Sequence, residues 1–174
     1  MRQFGDGSDQ FINAGDRNMT YVSRIQCVKA AIDSQITDMA NGAGERKIGV
    51  VTFNNEVQVI GDGTKAAQTI TGDHLNNFEW LQNNGKSQAT ERLTQPVATT
   101  QQDLKTKLDQ IEETGPTALG PGILTSVAIA AEGSPGSSVV ICTDGLANIG
   151  LGAFDECVTE ADTTAAEQFY ERVG

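Results

Sequence analysis

The chain has 174 residues, of which 38% are hydrophobic and only 5% are aromatic. This length suits one domain with an aliphatic core. The formal net charge of −11 disfavours binding to nucleic acid or to an anionic membrane surface. No apolar run approaches the length of a membrane span, and the first residues lack the apolar segment of a signal peptide. We therefore expect an acidic, cytoplasmic protein.

The cysteines indicate a reducing compartment. Cys27, Cys142 and Cys157 form no Cys-x-x-Cys pair, and Cys142 lies within an apolar run. We expect them to be small buried apolar groups. Since His74 is the single histidine of the sequence, a zinc site is not predicted.

The amino-terminal part divides into a weak segment and a strong helix. Residues 1–22 are rich in Gly, Asp and Asn, with a weak strand pattern at 9–14, so they form either a weakly ordered segment or a first strand. Residues 23–174 are predicted to form the main domain. Ser23 and Gln26 have the spacing of a capping box and open a helix that Asn41 to Gly44 should end.

The next segment has the pattern of a β-hairpin. Lys47 to Phe53 is a nearly continuous apolar run, which predicts a strand buried on both faces. Glu56 to Ile60 alternates between polar and apolar residues and is predicted to be an edge strand, paired antiparallel through a tight turn. Only a short helix from Leu75 to Leu81 is predicted before residue 100. Gly61-Asp62-Gly63 lacks the third glycine of a dinucleotide fingerprint.

The carboxyl-terminal half alternates between helices and a strand. The pattern predicts helices at 101–113, from Pro121 onwards, and near the end of the chain, with a second buried strand at 138–143. Strands that alternate with helices predict an α/β fold with a mainly parallel sheet covered on both faces. We therefore expect a Rossmann-like, doubly wound domain.

Thr117 and Asp144 are the candidate metal ligands. Thr117 precedes a predicted helix and Asp144 follows a predicted strand, and such positions meet at the carboxyl edge of an α/β sheet. A hydroxyl and a carboxylate at this edge suit a hard divalent cation such as Mg²⁺. Each residue also has a plain structural alternative, because Thr117 could cap the helix and Asp144 could cap the turn.

Four segments resemble the von Willebrand factor A domain, also called the integrin inserted domain. The resemblance spans residues 23 to 173 and is closest to the intracellular, copine-like members; it rests on Ser23 to Ile32, Ile48 to Phe53, Gly115 to Gly120, and Ile141 to Gly145. It implies a doubly wound fold with a metal-ion-dependent adhesion site. Thr117 and Asp144 match two of its ligands, and the cation would be Mg²⁺, Mn²⁺ or Ca²⁺.

The third element of that adhesion site, Asp-x-Ser-x-Ser, is absent in its usual form. Asp16, Asn18 and Thr20 have the right spacing and oxygen-bearing side chains, and Asp6-x-Ser8 is a second candidate. A third interpretation is that the first strand of the family is missing. Two strand–helix units that the family usually has at its carboxyl end are also missing. The domain is therefore expected to be incomplete at both ends or completed by a strand of another chain.

The resemblance implies a non-catalytic module that recognises a protein partner through the bound metal. An acidic residue of the partner would complete the coordination shell. The alternative is a structural component of a larger assembly, without a functional metal, whose sheet a partner chain completes. An enzyme is not predicted, because no general base is evident near Asp144 and no Gly-x-Ser-x-Gly motif is present.

Overall fold

The computed structural model describes residues 2–3, 11–12, 22–112, 115–143, 145–154 and 160–173. Within these ranges the chain forms five short strands, five α-helices and one 3-10 helix at Gly72–Asn76. The strands are β1 Arg2–Gln3, β2 Phe11–Ile12, β3 Val50–Phe53, β4 Val57–Gly61 and β5 Gln68–Ile70. The helices are α1 Arg24–Asn41, α2 Phe78–Arg92, α3 Val97–Asp109, α4 Leu119–Ala131 and α5 Glu160–Val173.

Helix α1 begins and ends where the sequence predicts. The backbone N–H of Gln26 donates to the Ser23 hydroxyl at 3.2 Å, and the Ser23 N–H donates to the Gln26 side chain at 2.8 Å. This reciprocal pair is the predicted capping box, and it satisfies donors that a helix start would leave free. Gly42 is the residue that ends the helix.

The central sheet has the order β3–β4–β5, and both of its pairings are antiparallel. Val51 lies opposite Val59 and Phe53 lies opposite Val57, so the predicted hairpin is confirmed. The predicted Rossmann-like, doubly wound and mainly parallel sheet is wrong, because no parallel pair occurs within the described residues. The hairpin imposes opposite directions on its two strands, and β5 then returns along β4.

Strand β4 is the central strand of this sheet, although its alternating pattern predicted an edge strand. Val57 and Val59 have no exposed surface, and Ile60 is 5% exposed. The reason is β5, which covers the second edge of β4 and was not predicted. Strand β3 is the edge strand instead, and its four residues are half-buried.

Helices pack on both faces of the sheet and form two apolar clusters. The larger cluster contains Val57, Val59, Leu81, Leu124 and Phe169 among others, so it joins the sheet to α2, α4 and α5. The smaller one joins α1 to α3 and includes half-buried Val50 at its margin. Because side chains alternate along a strand, Val50 and Val51 point to opposite faces and reach different clusters.

Helix α2 was predicted only as a short helix near Leu75 to Leu81, and it is much longer. Its buried residues are Leu81, Gly85 and Gln88, which lie on one helical face. A Cβ at Gly85 would lie 2.7 Å from the Ala128 Cβ and 2.9 Å from the Thr125 carbonyl oxygen. Gly85 therefore permits the close approach of α2 and α4. The pattern was missed because two of the three buried residues are not apolar.

The predicted strand at 138–143 is wrong, since this segment has no regular secondary structure. Val140 is 85% exposed and Ile141 is 45% exposed. Cys142, predicted to be buried, is exposed, as is Cys27; Cys157 lies outside the described residues. An apolar run becomes a strand only with a hydrogen-bonded neighbour, and the described part of the chain supplies none here.

The amino-terminal pieces that are described form a ladder of their own. Arg2 pairs with Ile12 and Gln3 pairs with Phe11, both antiparallel. These residues are not part of the three-stranded sheet, so the described portion of segment 9–14 is not its first strand.

The two remaining helix predictions are confirmed with small shifts. Helix α5 is the predicted final helix, and α3 begins four residues before its predicted start. None of the helices in the described ranges is long and apolar enough to cross a membrane.

Candidate functional site

Thr117 lies in the short connection that leads into α4. Gly115 has a φ of +65°, a left-handed conformation that favours glycine, and it turns the chain toward the helix. Ala118 is the N-cap residue of α4, and its side chain forms no hydrogen bond with the start of the helix. The Ala118 N–H donates to the Asn54 carbonyl oxygen at 2.7 Å, which fixes the start of α4 to the β3–β4 turn.

The loop around residue 148 holds the backbone of Thr117. Its N–H donates to the Asn148 side-chain oxygen. Its carbonyl accepts from the N–H groups of Asn148 at 3.0 Å and of Ile149 at 3.3 Å. A Cβ at Gly145 would lie 3.7 Å from the Thr117 hydroxyl oxygen. Gly145, the residue that follows Asp144 in the chain, therefore lies beside Thr117.

The five predicted metal ligands are described unequally. Thr117 is half-buried, and its hydroxyl has no hydrogen-bond partner among the described residues. Asp144, Asp16, Asn18 and Thr20 lie outside the described residues, as do the alternatives Asp6 and Ser8. No group of three or more His, Cys, Asp or Glu residues that could hold a metal occurs in the described ranges. Of the five predicted ligands the structure thus describes only Thr117, whose hydroxyl lies near the start of α4.

The glycines at the start of α4 are required by packing. A Cβ at Gly120 would lie 1.9 Å from the Leu151 carbonyl oxygen, and one at Gly122 would lie 2.8 Å from the Phe53 ring. These contacts set α4 against β3 and against the loop that follows residue 150. The glycines consequently explain how the Thr117 connection is positioned.

A partial phosphate-loop motif, Gly85-Lys86-Ser87, was missed in the sequence. A true phosphate loop places a glycine-rich turn before the first turn of a helix, so that backbone N–H groups face the phosphates. Here the three residues lie inside α2, and Gly85 packs against α4. Their position within a helix is therefore wrong for phosphate binding.

Asp62 is a fully buried carboxylate at the end of β4. One of its oxygens accepts from the N–H of Thr64 at 3.1 Å and from the Thr64 hydroxyl at 2.6 Å. The other accepts from the N–H of Thr94 at 2.9 Å, the Thr94 hydroxyl at 3.1 Å and the N–H of Gln95 at 3.2 Å. Burial by itself would raise the pKa of Asp62, but these hydrogen bonds outweigh it and lower the pKa below 3.8.

This arrangement makes Asp62 a structural residue. Its carboxylate oxygens are occupied by the protein's own donors, so they are not available to a ligand. Gly61 has a φ of +65°, and a Cβ there would lie 2.4 Å from the Arg92 carbonyl oxygen. The flanking glycines thus serve a tight turn, which agrees with rejecting a dinucleotide fingerprint. In the sequence, the motif Gly61-Asp62-Gly63 directly after a strand could have predicted this turn.

Comparison with known proteins shows similarity to a protein of the Ras class. The relative is circularly permutated Ras protein 1 of Dictyostelium discoideum, which is 36% identical over 157 residues. The aligned part covers 88% of this chain and 18% of the relative, so the chain spans about a fifth of that protein's length. No protein-family model matches the chain.

This similarity overturns the family prediction. The relative is a Ras protein and not a von Willebrand A domain, and the antiparallel sheet does not have the parallel order that the resemblance implied. The predicted non-catalytic adhesion module, and its alternative as a structural component without a functional metal, are therefore wrong. The similarity does not bear on the expected completion of the sheet by a strand of another chain. The prediction that the chain is not an enzyme falls with them. Mg²⁺ is compatible with similarity to a Ras protein, although the adhesion-site context is not.

Proposed function

We propose that this chain contributes a Mg²⁺-assisted phosphate-binding corner to a GTP-binding signalling protein of the Ras type. The observation that carries the proposal is the 36% identity to a Ras protein over 157 residues. Ras-type proteins bind GTP together with Mg²⁺, hydrolyse it, and change conformation when the γ-phosphate is lost. The chain spans 18% of the relative, so this activity is proposed for a longer assembly in which the chain takes part.

The phosphate-binding corner consists of Thr117, the first turn of α4 and residues 144–148. The start of α4 carries no side-chain cap, and the positive end of its helix dipole favours an anion. The hydroxyl of Thr117, which has no partner among the described residues, lies in the connection that leads into this helix. Hydroxyl and carboxylate oxygens are ligands that Mg²⁺ accepts, and it is usually held by one or two carboxylates together with the phosphates of a substrate.

Within the corner, Thr117 and Asp144 would hold the cation, and the start of α4 would orient a phosphate group. The bound cation would neutralise charge that develops on the phosphates. Asn148 positions Thr117 because it forms hydrogen bonds with both the N–H and the carbonyl group of Thr117. Asn148 is thus proposed to act through Thr117 and not on the nucleotide.

Equilibrium binding of a fluorescent GTP analogue to the chain tests this proposal. We expect binding in Mg²⁺ and its loss in EDTA. Thr117→Ala and Asp144→Asn should each weaken binding about tenfold or more, the size expected when a charge-assisted contact is lost. Thr106→Ala is the matched control, since the Thr106 hydroxyl is exposed and donates to the Gln102 carbonyl within α3.

Two results would contradict the proposal in different ways. If Lys86→Ala abolished binding and Thr117→Ala did not, the nucleotide would be bound through α2, and the proposed corner would be wrong. If the chain bound no GTP analogue in Mg²⁺ at millimolar concentration, the assignment of a phosphate-binding role to this part of the protein would be wrong.

A further inference from the structure

A wide cleft opens beside the free edge of the central sheet. Its volume is about 2380 Å³, well above the roughly 300–1,000 Å³ of a small-molecule pocket. Strand β3 lies along it, and α1, α4 and residues 132–142 contribute to its walls. A cleft of this size is suited to a segment of polypeptide.

The outer edge of β3 is unpaired within the described residues. Strand β3 is an end strand of the sheet, and no backbone hydrogen bond joins Val50 to Phe53 with any described segment other than β4. Such an edge presents a row of free N–H and C=O groups that another strand can pair with. The edge also carries Val51 and Phe53, which already pack against the larger core cluster.

The lining of the cleft also includes a largely exposed apolar segment, Val139 to Cys142. Val140 and Ile141 are 85% and 45% exposed, and both line the cleft. The segment has no backbone hydrogen bonds to the other described residues. Contiguous exposed apolar residues beside an open strand edge mark an interaction surface.

We propose that this cleft binds an extended strand of another protein, which pairs with β3 and is covered by Val139 to Cys142. Addition of a strand to an open edge gives affinity through backbone hydrogen bonds and specificity through alternate side chains. The bound strand would carry apolar residues at every second position, because Val51 and Phe53 on one side and Val140 and Ile141 on the other are apolar. Thr117 also lines the cleft, so the bound strand would lie beside the proposed phosphate-binding corner, although its pairing with β3 needs no nucleotide.

The charges of the molecule determine the chemistry of the partner strand. Four basic and four acidic side chains line the cleft, so its interior favours a strand without charges in its centre; they are Lys29, Arg46, Lys47, Lys107, Glu45, Glu56, Glu112 and Glu132. The whole chain has a net charge of −11, which favours basic flanks and disfavours a second copy of this chain. Phe11–Ile12 pairs with Arg2–Gln3 in a separate two-stranded ladder and does not fill the edge.

A designed peptide tests the proposal on the complete chain. The peptide has paired lysines at each end and alternating valine and threonine between them, and its binding is followed by fluorescence anisotropy. We expect saturable binding, together with slower hydrogen exchange of the β3 amides. Val140→Asp should weaken binding about tenfold, since it places a charge against a buried strand. Because Val140 is exposed, this variant should fold normally.

Two controls make the result specific. Val22→Asp changes another exposed valine, 54% exposed and outside the cleft, and should leave binding unchanged. A peptide methylated at its central backbone nitrogens should not bind. Absence of binding, equal binding of the methylated peptide, or equal binding by the Val140→Asp variant would each overturn the proposal. So would a stable dimer of the free chain in sedimentation, since a second copy would then occupy the edge.

Discussion

Asp62 and Thr94 join the end of β4 to the connection between α2 and α3. Both the N–H and the hydroxyl of Thr94 donate to one oxygen of the buried Asp62 carboxylate, at 2.9 Å and 3.1 Å. The two residues are 32 positions apart in the chain. This contact fixes the end of the central strand against the α2–α3 connection, and it uses a charge where most cores use apolar groups.

Replacement of Asp62 with Asn should destabilise the chain strongly. The amide nitrogen of Asn is a donor, so it would face N–H groups that now point at a carboxylate oxygen. We expect a loss of about 3 kcal/mol in the free energy of unfolding, measured by urea denaturation. Asp103→Asn, at an exposed position of α3, is the matched control and should change stability by less than about 0.5 kcal/mol. Equal effects of the two variants would disprove the structural role of Asp62.

The Asp62 carboxylate should also make the free energy of unfolding depend on pH in the acid range. The pKa of Asp62 is lowered in the folded chain from 3.8, while an unfolded chain keeps its ordinary value. Its stabilising contribution is therefore complete above the unfolded pKa and is lost as the pH falls through the lower, folded pKa. Urea denaturation between pH 5 and pH 2 should show stability falling more steeply for the wild type than for Asp62→Asn. Parallel curves would contradict this assignment.

Substitutions at Gly85 and Lys86 test whether this part of α2 packs against α4 or binds phosphate. Gly85→Ala should destabilise the chain by about 1–3 kcal/mol, because the added Cβ would press on Ala128 and on the Thr125 carbonyl. Lys86→Ala, at an exposed neighbouring position, should have little effect on stability and none on GTP binding. A normal melting temperature for Gly85→Ala would show that α2 and α4 are not packed as described.

Thr125 offers a substitution that should stabilise the chain. This residue has no exposed surface, and its hydroxyl has no hydrogen-bond partner within the part of the chain that the structure describes. Thr125→Val keeps the shape and removes the unpaired group, so we expect a gain of about 1 kcal/mol in the free energy of unfolding. Thr106→Val, whose hydroxyl is exposed and bonded within its helix, is the control and should show no such gain. A loss of stability in Thr125→Val would indicate a partner for the hydroxyl.

The sequence predicted correctly those elements that are determined by residues close together in the chain. The capping box at Ser23 and Gln26, and the hairpin turn between Phe53 and Val57, are examples, and both are confirmed. The prediction failed where an element depends on distant partners. Helix α2 packs through Gly85, which a hydrophobic pattern cannot detect, and residues 138–143 have a strand-like composition without a pairing neighbour.

The candidate site was predicted only in part, for a similar reason. Thr117 could be selected from its position before a helix, and the structure places Gly145 beside its hydroxyl. The roles of Asn148 and of the Asp62 turn were missed, because each depends on a loop that folds back from a remote position. The resemblance to a von Willebrand A domain rested on short motifs, whereas the similarity to a Ras protein extends over 157 residues.

The melting temperature of the chain with GTP and Mg²⁺ tests the central proposal most directly. A ligand at 100 times its dissociation constant stabilises the folded state by about 2.7 kcal/mol, which raises the melting temperature by roughly 5–10 °C for a chain of this size. We predict this rise with GTP and Mg²⁺ together, at most about half of it in Thr117→Ala, whose binding is at least tenfold weaker, and its absence with GTP in EDTA or with Mg²⁺ alone. An unchanged melting temperature with GTP and Mg²⁺, or the same rise in EDTA, would contradict the proposal.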